Sequence, residues 1–339
     1  MSDVEAFGAS LGGTIRAINN FSLFQGESGY LMLYLGMCNI IAPTKKDFGS
    51  GTRFWLAFSN VDGLTVNGDV DGNGSSWWSS CENGNGCGFY EWQVLKFDGC
   101  NNLQVSGLRI TNASRNHISM ANCADATISN INIITPNITP NIDGIDVSLY
   151  PPGLKFKIPS SKRVMIALLS TLAAPTSTLL VIGSLGEGGS KGTVEEVHVV
   201  NCTFFRTKNA ARMTWQKISF KNITPESMNP ILIDQYYCDD MEHCKNQTLA
   251  VEISDISFIG FTGTSATGAA VQLLCSESVG CHRLVLDGIN ITASPNLTAG
   301  GKDGDISSKC INAHGTSSAS NMPSVPCLLP NDDDELLHD

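Results

Sequence analysis

The chain has 339 residues, a length that suits one elongated repeat domain better than one ordinary compact core. Its formal net charge of -11 and its pI near 4.9 argue against nucleic acid and against an anionic membrane surface as partners. An acidic polymer could bind such a chain only at a local basic patch.

The first 36 residues differ from the rest of the chain. They contain an apolar run at 30–35 but no clear capping pattern. No basic stretch followed by an apolar run stands at the start, so the sequence predicts no signal peptide. We interpret residues 1–36 as an atypical or truncated N-terminal segment that caps the following domain incompletely.

From Phe54 onward, short β-type runs alternate with turns rich in Asn, Gly and Asp, and helical periodicity is hard to find. Segments 60–68, 99–107 and 122–130 share one shape, and the last two are 23 residues apart. Such repetition predicts an all-β solenoid, in which each coil stacks its apolar residues on the next. A β-sandwich is the alternative, which the near-constant period disfavours.

The 12 cysteines and the glycosylation motifs indicate an oxidising, secretory environment. Zinc is the alternative use of cysteine, but no CxxC occurs and the His residues are scattered, so we predict no metal. Four close cysteine pairs stand out: Cys81 and Cys87, Cys238 and Cys244, Cys275 and Cys281, Cys310 and Cys327. The nine N-x-Ser/Thr motifs begin at Asn20, Asn73, Asn112, Asn137, Asn201, Asn222, Asn246, Asn290 and Asn296.

The stretch 141–148, Asn-Ile-Asp-Gly-Ile-Asp-Val-Ser, predicts a short strand that carries two carboxylates. On a regular strand Asp143 and Asp146 point to opposite faces, so only one of them can face a given cleft. From the residues alone, a lone Asp in a strand more often caps a turn or pairs with a neighbour than it catalyses a reaction.

Residues 149–180 interrupt the repeats. Pro151, Pro152 and Pro159 break strands, and residues 164–186 then run for 23 positions without a charge. That run is long enough to span a bilayer, but Pro175 and several Ser and Thr residues argue against it, and we predict no membrane partner. At the other end, residues 328–339 read as a solvated acidic tail.

Six motifs together resemble plant polygalacturonases of glycoside hydrolase family 28. The likeness covers residues 37–148 and 181–327 and implies one right-handed parallel β-helix over 37–327, with a disrupted coil around 149–180. It also implies an extracellular, monomeric protein of the cell wall. The motifs are Ser59-Asn-Val-Asp-Gly-Leu-Thr-Val, Arg115-Asn-His-Ile-Ser, Asn141-Ile-Asp-Gly-Ile-Asp, Ile182-Gly-Ser-Leu-Gly, Ala211-Arg-Met-Thr-Trp and Asn229-Pro-Ile-Leu-Ile-Asp-Gln-Tyr-Tyr-Cys.

The resemblance implies hydrolysis of α-1,4-galacturonan in pectin with inversion, without a cofactor. It assigns Asp143 as general base and Arg212 as the anchor of the sugar carboxylate, which a guanidinium binds through two oxygens. His117 matches a position near the substrate cleft, or it is a wall histidine bonded to a neighbouring loop. Tyr237 matches a tyrosine that packs on a sugar face, or it belongs to the core.

The sequence departs from the family pattern where the acid should be. An inverting enzyme needs a carboxylic acid roughly 6.5–9.5 Å from the base. The family's Gly-Asp-Asp and Gly-His-Gly motifs are missing, and Arg212-Met-Thr replaces Arg-Ile-Lys. A shift of one base across 164–167 would restore Gly-Asp-Asp-Cys, with one Asp codon forced by Met165 and Ile166. We therefore hypothesise that 149–180 is read out of frame.

Two functions remain open for the chain as written. One is a pectin hydrolase with weak or no activity, and the other is a catalytically dead β-helix that binds pectin. A calcium-dependent pectate lyase is a weaker third alternative, because the motifs do not resemble that class.

Overall fold

A computed structural model describes residues 4–6, 16–17, 22–25, 31–42, 44, 54–59, 63–78, 93–136, 143–148, 164–167, 173–182, 197–213, 216–236, 253–295 and 306–331. In the strands before residue 41, in 164–182 and in 211–213 the description covers the backbone alone.

The described chain is built almost entirely of strands, and its helix is a single turn, α1 (Ser75–Trp78). The first twelve strands are β1 (Val4–Ala6), β2 (Arg16–Ala17), β3 (Ser22–Gln25), β4 (Leu31–Ile41), β5 (Phe54–Ser59), β6 (Thr65–Asp71), β7 (Gln93–Asp98), β8 (Gln104–Thr111), β9 (Ile118–Ala121), β10 (Ala126–Ser129), β11 (Asn132–Ile134) and β12 (Ile145–Ser148). The other twelve are β13 (Val164–Ala167), β14 (Ala173–Ile182), β15 (Val197–Met213), β16 (Ile218–Asn229), β17 (Ile231–Asp234), β18 (Ile253–Ser254), β19 (Ile256–Ser265), β20 (Ala269–Leu274), β21 (Cys281–Asp287), β22 (Asn290–Ala293), β23 (Ser307–Ile311) and β24 (Ala313–Ser317).

From β4 onward the strands pair in parallel with strands one coil away, which makes the fold a right-handed parallel β-helix. The repeat offset seen in the sequence is the ladder register: Gln104 pairs with Thr127, 23 residues later, and Ser106 with Ser129. The solenoid prediction is therefore confirmed, and the sandwich alternative is excluded because a sandwich has antiparallel sheets.

The core is a column of apolar side chains stacked from coil to coil. Phe58 lies on Phe97 with ring centroids 5.3 Å apart, and Phe220 lies on Phe258 at 5.6 Å. Both stacks join residues at paired ladder positions, so the register places like side chains above one another. Such offset stacking adds to the free energy of burial.

Asparagine occupies the sharp corners between strands. Asn112, Asn122, Asn201 and Asn222 all have positive φ, between 52° and 56°. Asparagine tolerates this conformation better than other non-glycine residues, and its amide can bond to the coil below. The Nδ2 of Asn122 donates to Asp98 Oδ1 at 2.9 Å, for example.

The N-terminal segment covers the edge of the first coil at the backbone level. Strands β2 and β3 pair antiparallel with β4, and β1 pairs antiparallel with β5. Strand β4 also runs across the predicted boundary at residue 36. The N-terminal segment therefore makes more strand pairs than we expect of an incomplete cap. The division of the chain at residue 36 stays a prediction.

The backbone ladder continues through part of the aberrant segment. Strand β13 pairs in register with β10 and β15, and β14 pairs with β12 and β15. The pairing of β14 with β15 has two register shifts, at Ala173/Ala174 and Ala174/Thr178, and single shifts occur in other ladders such as β4–β6, so the disruption of this coil stays a prediction. Residues 149–163 and 168–172 lie outside the described residues.

Two of the four predicted cysteine pairs are disulfides, Cys275–Cys281 and Cys310–Cys327. The other two pairs, at 81/87 and 238/244, lie outside the described residues. Cys100, Cys123 and Cys202 are not joined in disulfides. Hydrogen bonding to Cys100 and burial raise the pKa of Cys123 above its ordinary value, so this thiol stays protonated.

The predicted tail joins the solenoid at its start. Leu329 N donates to Ala313 O at 3.0 Å, and Asn331 Oδ1 accepts from Arg283 N at 3.0 Å. Residues 328–331 are thus bonded to the last coils, and 332–339 lie outside the described residues.

Candidate active site

His117 and Asp143 precede strands β9 and β12, and Arg212 lies at the end of β15; these strands belong to one ladder of the β-helix, which we call the site ladder. It contains β5, β7, β9, β12, the end of β14, the end of β15, β17, β20 and β23, all paired in parallel. Each coil adds one strand to this ladder, so residues far apart in sequence lie in straight columns across it.

One column of the site ladder joins Asp146 to Arg212. Asp146 pairs with Val181, Val181 pairs with Arg212, and Arg212 pairs with Leu232. Two steps of the usual inter-strand spacing separate the Cα atoms of Asp146 and Arg212 by about 10 Å. The Arg212 side chain lies outside the described residues, so the register locates its backbone only.

The strand prediction over 141–148 was too long at its start, because β12 begins at Ile145. Within it, Ile145 and Val147 are buried in the core and Asp146 is half-buried on the opposite face. Asp143 precedes the strand, so strand alternation does not place it relative to Asp146. The sequence argument that sets the two carboxylates on opposite faces assumed that both lie in one strand, and only Asp146 does.

Asp143 is held in place by His117, one coil away. The backbone N–H of His117 donates to Asp143 O at 3.0 Å, and the ring Nδ1 reaches the same oxygen at 3.1 Å. A carbonyl oxygen only accepts, so Nδ1 carries the proton. The next residue continues the attachment, because Ile118 N donates to Gly144 O at 3.0 Å.

The His117 ring is neutral in the folded chain. The side chain is fully buried, and this burial lowers its pKa from 6.5 to about 4, against the opposing effect of backbone hydrogen bonds at Asp143 and Ile134. Its second nitrogen, Nε2, lies 3.4 Å from Thr135 Oγ1, which can donate to it. These contacts are those of the wall-histidine alternative, and contact between His117 and substrate stays a prediction.

Asn116 is a site residue that the motif reading missed. Its side chain is 3 % exposed, and its Nδ2 donates to Asp146 Oδ2 at 3.2 Å. Its own Oδ1 is buried without a hydrogen-bond partner. The Arg-Asn-His motif contains this residue, but the motif alone does not show which carboxylate it contacts. The hydrogen bond in the folded chain identifies that carboxylate as Asp146.

Two further polar side chains extend the Asp146 column toward the N-terminus. Ser119 pairs with Asp146, and Lys96 pairs with Ser119; their side chains are 2 % and 8 % exposed. The Lys96 ammonium lies 5.5 Å from the centre of the Phe54 ring, within the range of a cation–π contact. Buried lysine in this ladder is a positive charge two strands from Asp146.

The described part of the site can supply a carboxylate base and a cationic anchor position. Asp143 is half-buried at the entry of β12, and Arg212 stands further along the same ladder. Asn141, Ile142 and Tyr237 lie outside the described residues, as does most of 149–196, where the family acid and histidine would be. The structure therefore brings Asp143 and His117 into contact and leaves the distance from Asp143 to an acid unassigned.

No group of three or more His, Cys, Asp or Glu side chains that could hold a metal occurs within the described ranges. In the same ranges, no helix has the length and apolar character needed to cross a membrane. Where the uncharged run at 164–186 is described, it forms strands β13 and β14 of the parallel sheet.

The fold and the ladder define a class of protein, the parallel β-helix with acidic and basic groups aligned on one face. Sequence comparison narrows that class, since residues 31–150 and 179–320 match the profile of the glycosyl hydrolases family 28. The chain belongs to glycosyl hydrolases family 28. The match omits 151–178, which lies within the segment predicted to be out of frame.

Plant polygalacturonases are among the relatives of this chain. A probable polygalacturonase of Arabidopsis thaliana is 35% identical over 315 residues, which is 85% of this chain and 69% of the relative. A polygalacturonase of Cryptomeria japonica is 33% identical over 306 residues, covering 82% of this chain and 58% of its own length. Among solved structures, the endo-xylogalacturonan hydrolase from Aspergillus tubingensis matches with a TM-score of 0.55 at 19% identity, over 85% of this chain and 88% of that one, which shows the shared fold.

Proposed function

We propose that this chain is a polygalacturonase-type protein that binds α-1,4-galacturonan along the site ladder and hydrolyses it weakly or not at all. The observation that supports binding is the column that aligns Asp146 with Arg212 beside the fixed backbone of Asp143. A galacturonate chain carries one carboxylate per sugar, and the guanidinium of Arg212 is the charge complement that such recognition needs.

In the proposed reaction, Asp143 is the base that takes a proton from water attacking the far face of the sugar. Inversion then needs a protonated carboxyl group on the other side of the glycosidic bond, roughly 6.5–9.5 Å from the base. His117 acts on this step indirectly, because it holds the Asp143 carbonyl and thus fixes the entry of β12. Without a group that protonates the leaving oxygen, the activation barrier to hydrolysis stays high. We therefore expect the chain to bind galacturonan but to hydrolyse it weakly or not at all.

The missing acid has a specific proposed origin. The family match stops at 150 and resumes at 179, which supports the hypothesis that about 149–180 is translated out of frame. Met165 always ends in G and Ile166 always begins with AT, so one Asp codon exists in the shifted frame whatever the other bases are. Sequencing the transcript decides the point: codons that cannot encode Gly-Asp-Asp in any frame would eliminate the hypothesis.

The proposed setting is the plant cell wall, reached by secretion, with the protein as a monomeric glycoprotein. The two disulfides and the relationship to plant polygalacturonases support this setting. Pectin is then the only partner that the proposal requires, and no cofactor or metal is required.

Binding can be measured apart from catalysis. Affinity electrophoresis in gels containing polygalacturonate should retard the purified chain, and R212A should reduce this retardation. K221A is a matched control, because Lys221 is an exposed residue of β16, outside the site ladder. Equal migration with and without polygalacturonate would contradict the binding proposal, and sensitivity of product release to a calcium chelator would indicate the lyase alternative.

A further inference from the structure

Five of the glycosylation motifs begin at an asparagine whose side chain is described, and their geometry separates them. The Nδ2 of Asn73 donates to Ala42 O at 2.9 Å, that of Asn112 to Asp71 Oδ1 at 3.2 Å, and that of Asn222 to Asn201 Oδ1 at 3.1 Å. Each of these amide nitrogens is thus engaged in the corner ladder. A glycan on Nδ2 would replace one of its hydrogens and crowd the hydrogen bond that joins neighbouring coils.

Asn201 belongs to the same ladder, because its Oδ1 accepts the bond from Asn222. Its backbone also has positive φ, 56°, as at the other three corners. A sugar on Nδ2 of Asn201 would lie beside Oδ1 of the same amide and would crowd the contact that joins two coils.

Asn290 differs from the other four in backbone conformation and in hydrogen bonding, whereas exposure does not separate it from Asn201 and Asn222, which are also exposed. It lies at the start of β22 in extended backbone, its side chain is exposed, and its amide makes no described hydrogen bond. The middle residue of the motif, Ile291, is fully buried in the core, and Thr292 is exposed on the same side as Asn290. Strand alternation thus presents the amide and the hydroxyl of the motif together to solvent.

The backbone around Asn290 is held on both sides. Strand β22 pairs with β19, where Asn290 lies opposite Thr262. On its other side Ile291 N donates to Met322 O, and Met322 N donates to Ile289 O, both at 2.8 Å. Met322 pairs with Asn290 and is 57 % exposed, so an apolar surface adjoins the amide.

We propose that Asn290 is an N-glycosylation site of this chain and that Asn73, Asn112, Asn201 and Asn222 are structural asparagines that carry no glycan in the folded protein. The proposal rests on the secretory part of the proposed function, but it does not depend on pectin binding or hydrolysis. The first sugar would lie beside Met322 and shield that side chain from water.

The test places the full chain behind a heterologous secretion signal in plant or insect cells, so that entry into the secretory pathway is imposed. Enzymatic deglycosylation of the secreted protein in ¹⁸O-water marks each occupied asparagine, and peptide mass spectrometry then reads occupancy site by site. We expect Asn290 to be occupied in most molecules and the four ladder asparagines to be unoccupied. An unmodified Asn290, or a ladder asparagine occupied as fully as Asn290, would overturn the proposal.

Paired substitutions separate loss of the motif from loss of folding. T292V should remove one glycan-sized step in gel mobility, and T292S, which keeps the motif, should retain it. N290Q should migrate like T292V, whereas N112Q should leave the glycan step unchanged in whatever protein is secreted. A T292V product that keeps the step would contradict the assignment to Asn290. Because mobility is read without substrate, an inactive enzyme leaves this result unaffected.

Discussion

The ring of His117 donates from Nδ1 to the backbone carbonyl of Asp143 at 3.1 Å, across two adjacent coils. This bond joins the two residues that the family resemblance places in the site. The His117 ring is fully buried, so it cannot exchange this bond for one to water when the bond is lost. The position of the proposed base therefore depends on a neutral histidine in the wall behind it.

Replacement of His117 should destabilise the fold. H117A leaves the Asp143 carbonyl with one donor fewer and opens a cavity, at a cost of about 2–4 kcal/mol in the free energy of unfolding. Denaturant unfolding followed by circular dichroism measures the loss. H198A is the control, because His198 is half-buried and its hydrogen bond within the described residues is to Ser219 Oγ, 2.6 Å away; equal losses in the two variants would contradict the role given to His117.

Stability should fall in mild acid through the same histidine. The folded-state pKa of His117, about 4, lies below its ordinary 6.5, so the unfolded chain binds the proton first as the pH falls. Stability is full above pH 6.5 and is lost between pH 6.5 and 4, by about 3 kcal/mol in total. Unfolding free energies at pH 4.5, 5.5 and 7 measure the slope.

The matched variant for that slope is H117N, which removes the titrating group. Its stability should depend less on pH over the same window. The hydrogen bond from Arg283 holds the pKa of Asp255 below its ordinary value. The Asp255 carboxylate therefore changes stability only below the range of pH 4 to 6.5. The same slope in H117N and in the natural chain would exclude His117 as its cause.

Replacement of Asn116 by a carboxylate should destabilise the fold, because it adds a negative charge next to Asp146. N116D places a second carboxylate where an amide now donates to Asp146 Oδ2 at 3.2 Å. Repulsion between the two should cost about 1–3 kcal/mol at pH 7, and less at pH 4, where one of them can take up a proton. N116A removes the hydrogen bond without adding charge, so a pH-independent loss of the same size in both variants would rule out the repulsion.

The aromatic column should carry much of the stability of the C-terminal coils. Phe220 is fully buried, stacks on Phe258 and has its ring centre 6.4 Å from that of Phe261. F220A should therefore cost about 3–5 kcal/mol in unfolding free energy. V285A, at a side chain that is 38 % exposed, should cost less than about 0.5 kcal/mol, and similar losses would contradict the stacked-core description.

The fold was predictable because its cause is local and repeated. Asn and Gly residues at 23-residue spacing mark corners of the chain. Corners at constant spacing favour coils that stack on one another, and the pairing of Gln104 with Thr127 confirms this stacking. The Cys275–Cys281 and Cys310–Cys327 bonds were predictable for a similar reason, since short spacing brings each pair together.

The site was less predictable because it depends on register. The start of β12 at Ile145 follows from how that strand pairs with Ile118, and sequence alternation alone placed Asp143 inside it. Asn116 escaped notice because its partner lies 30 residues away in the chain. Motifs indicate which residues belong to the site, but only the ladder shows which of them face one another.

Release of reducing ends from polygalacturonate by the purified chain, alongside D143N, tests the central claim most directly. The claim is that the chain keeps the base and the anchor of a family 28 hydrolase but lacks its acid. We expect both proteins to release reducing ends at the level of the blank while both still bind polygalacturonate. Turnover by the natural chain that D143N abolishes would contradict this account and would require a second carboxyl group near Asp143, for which Asp146 is the first residue to replace.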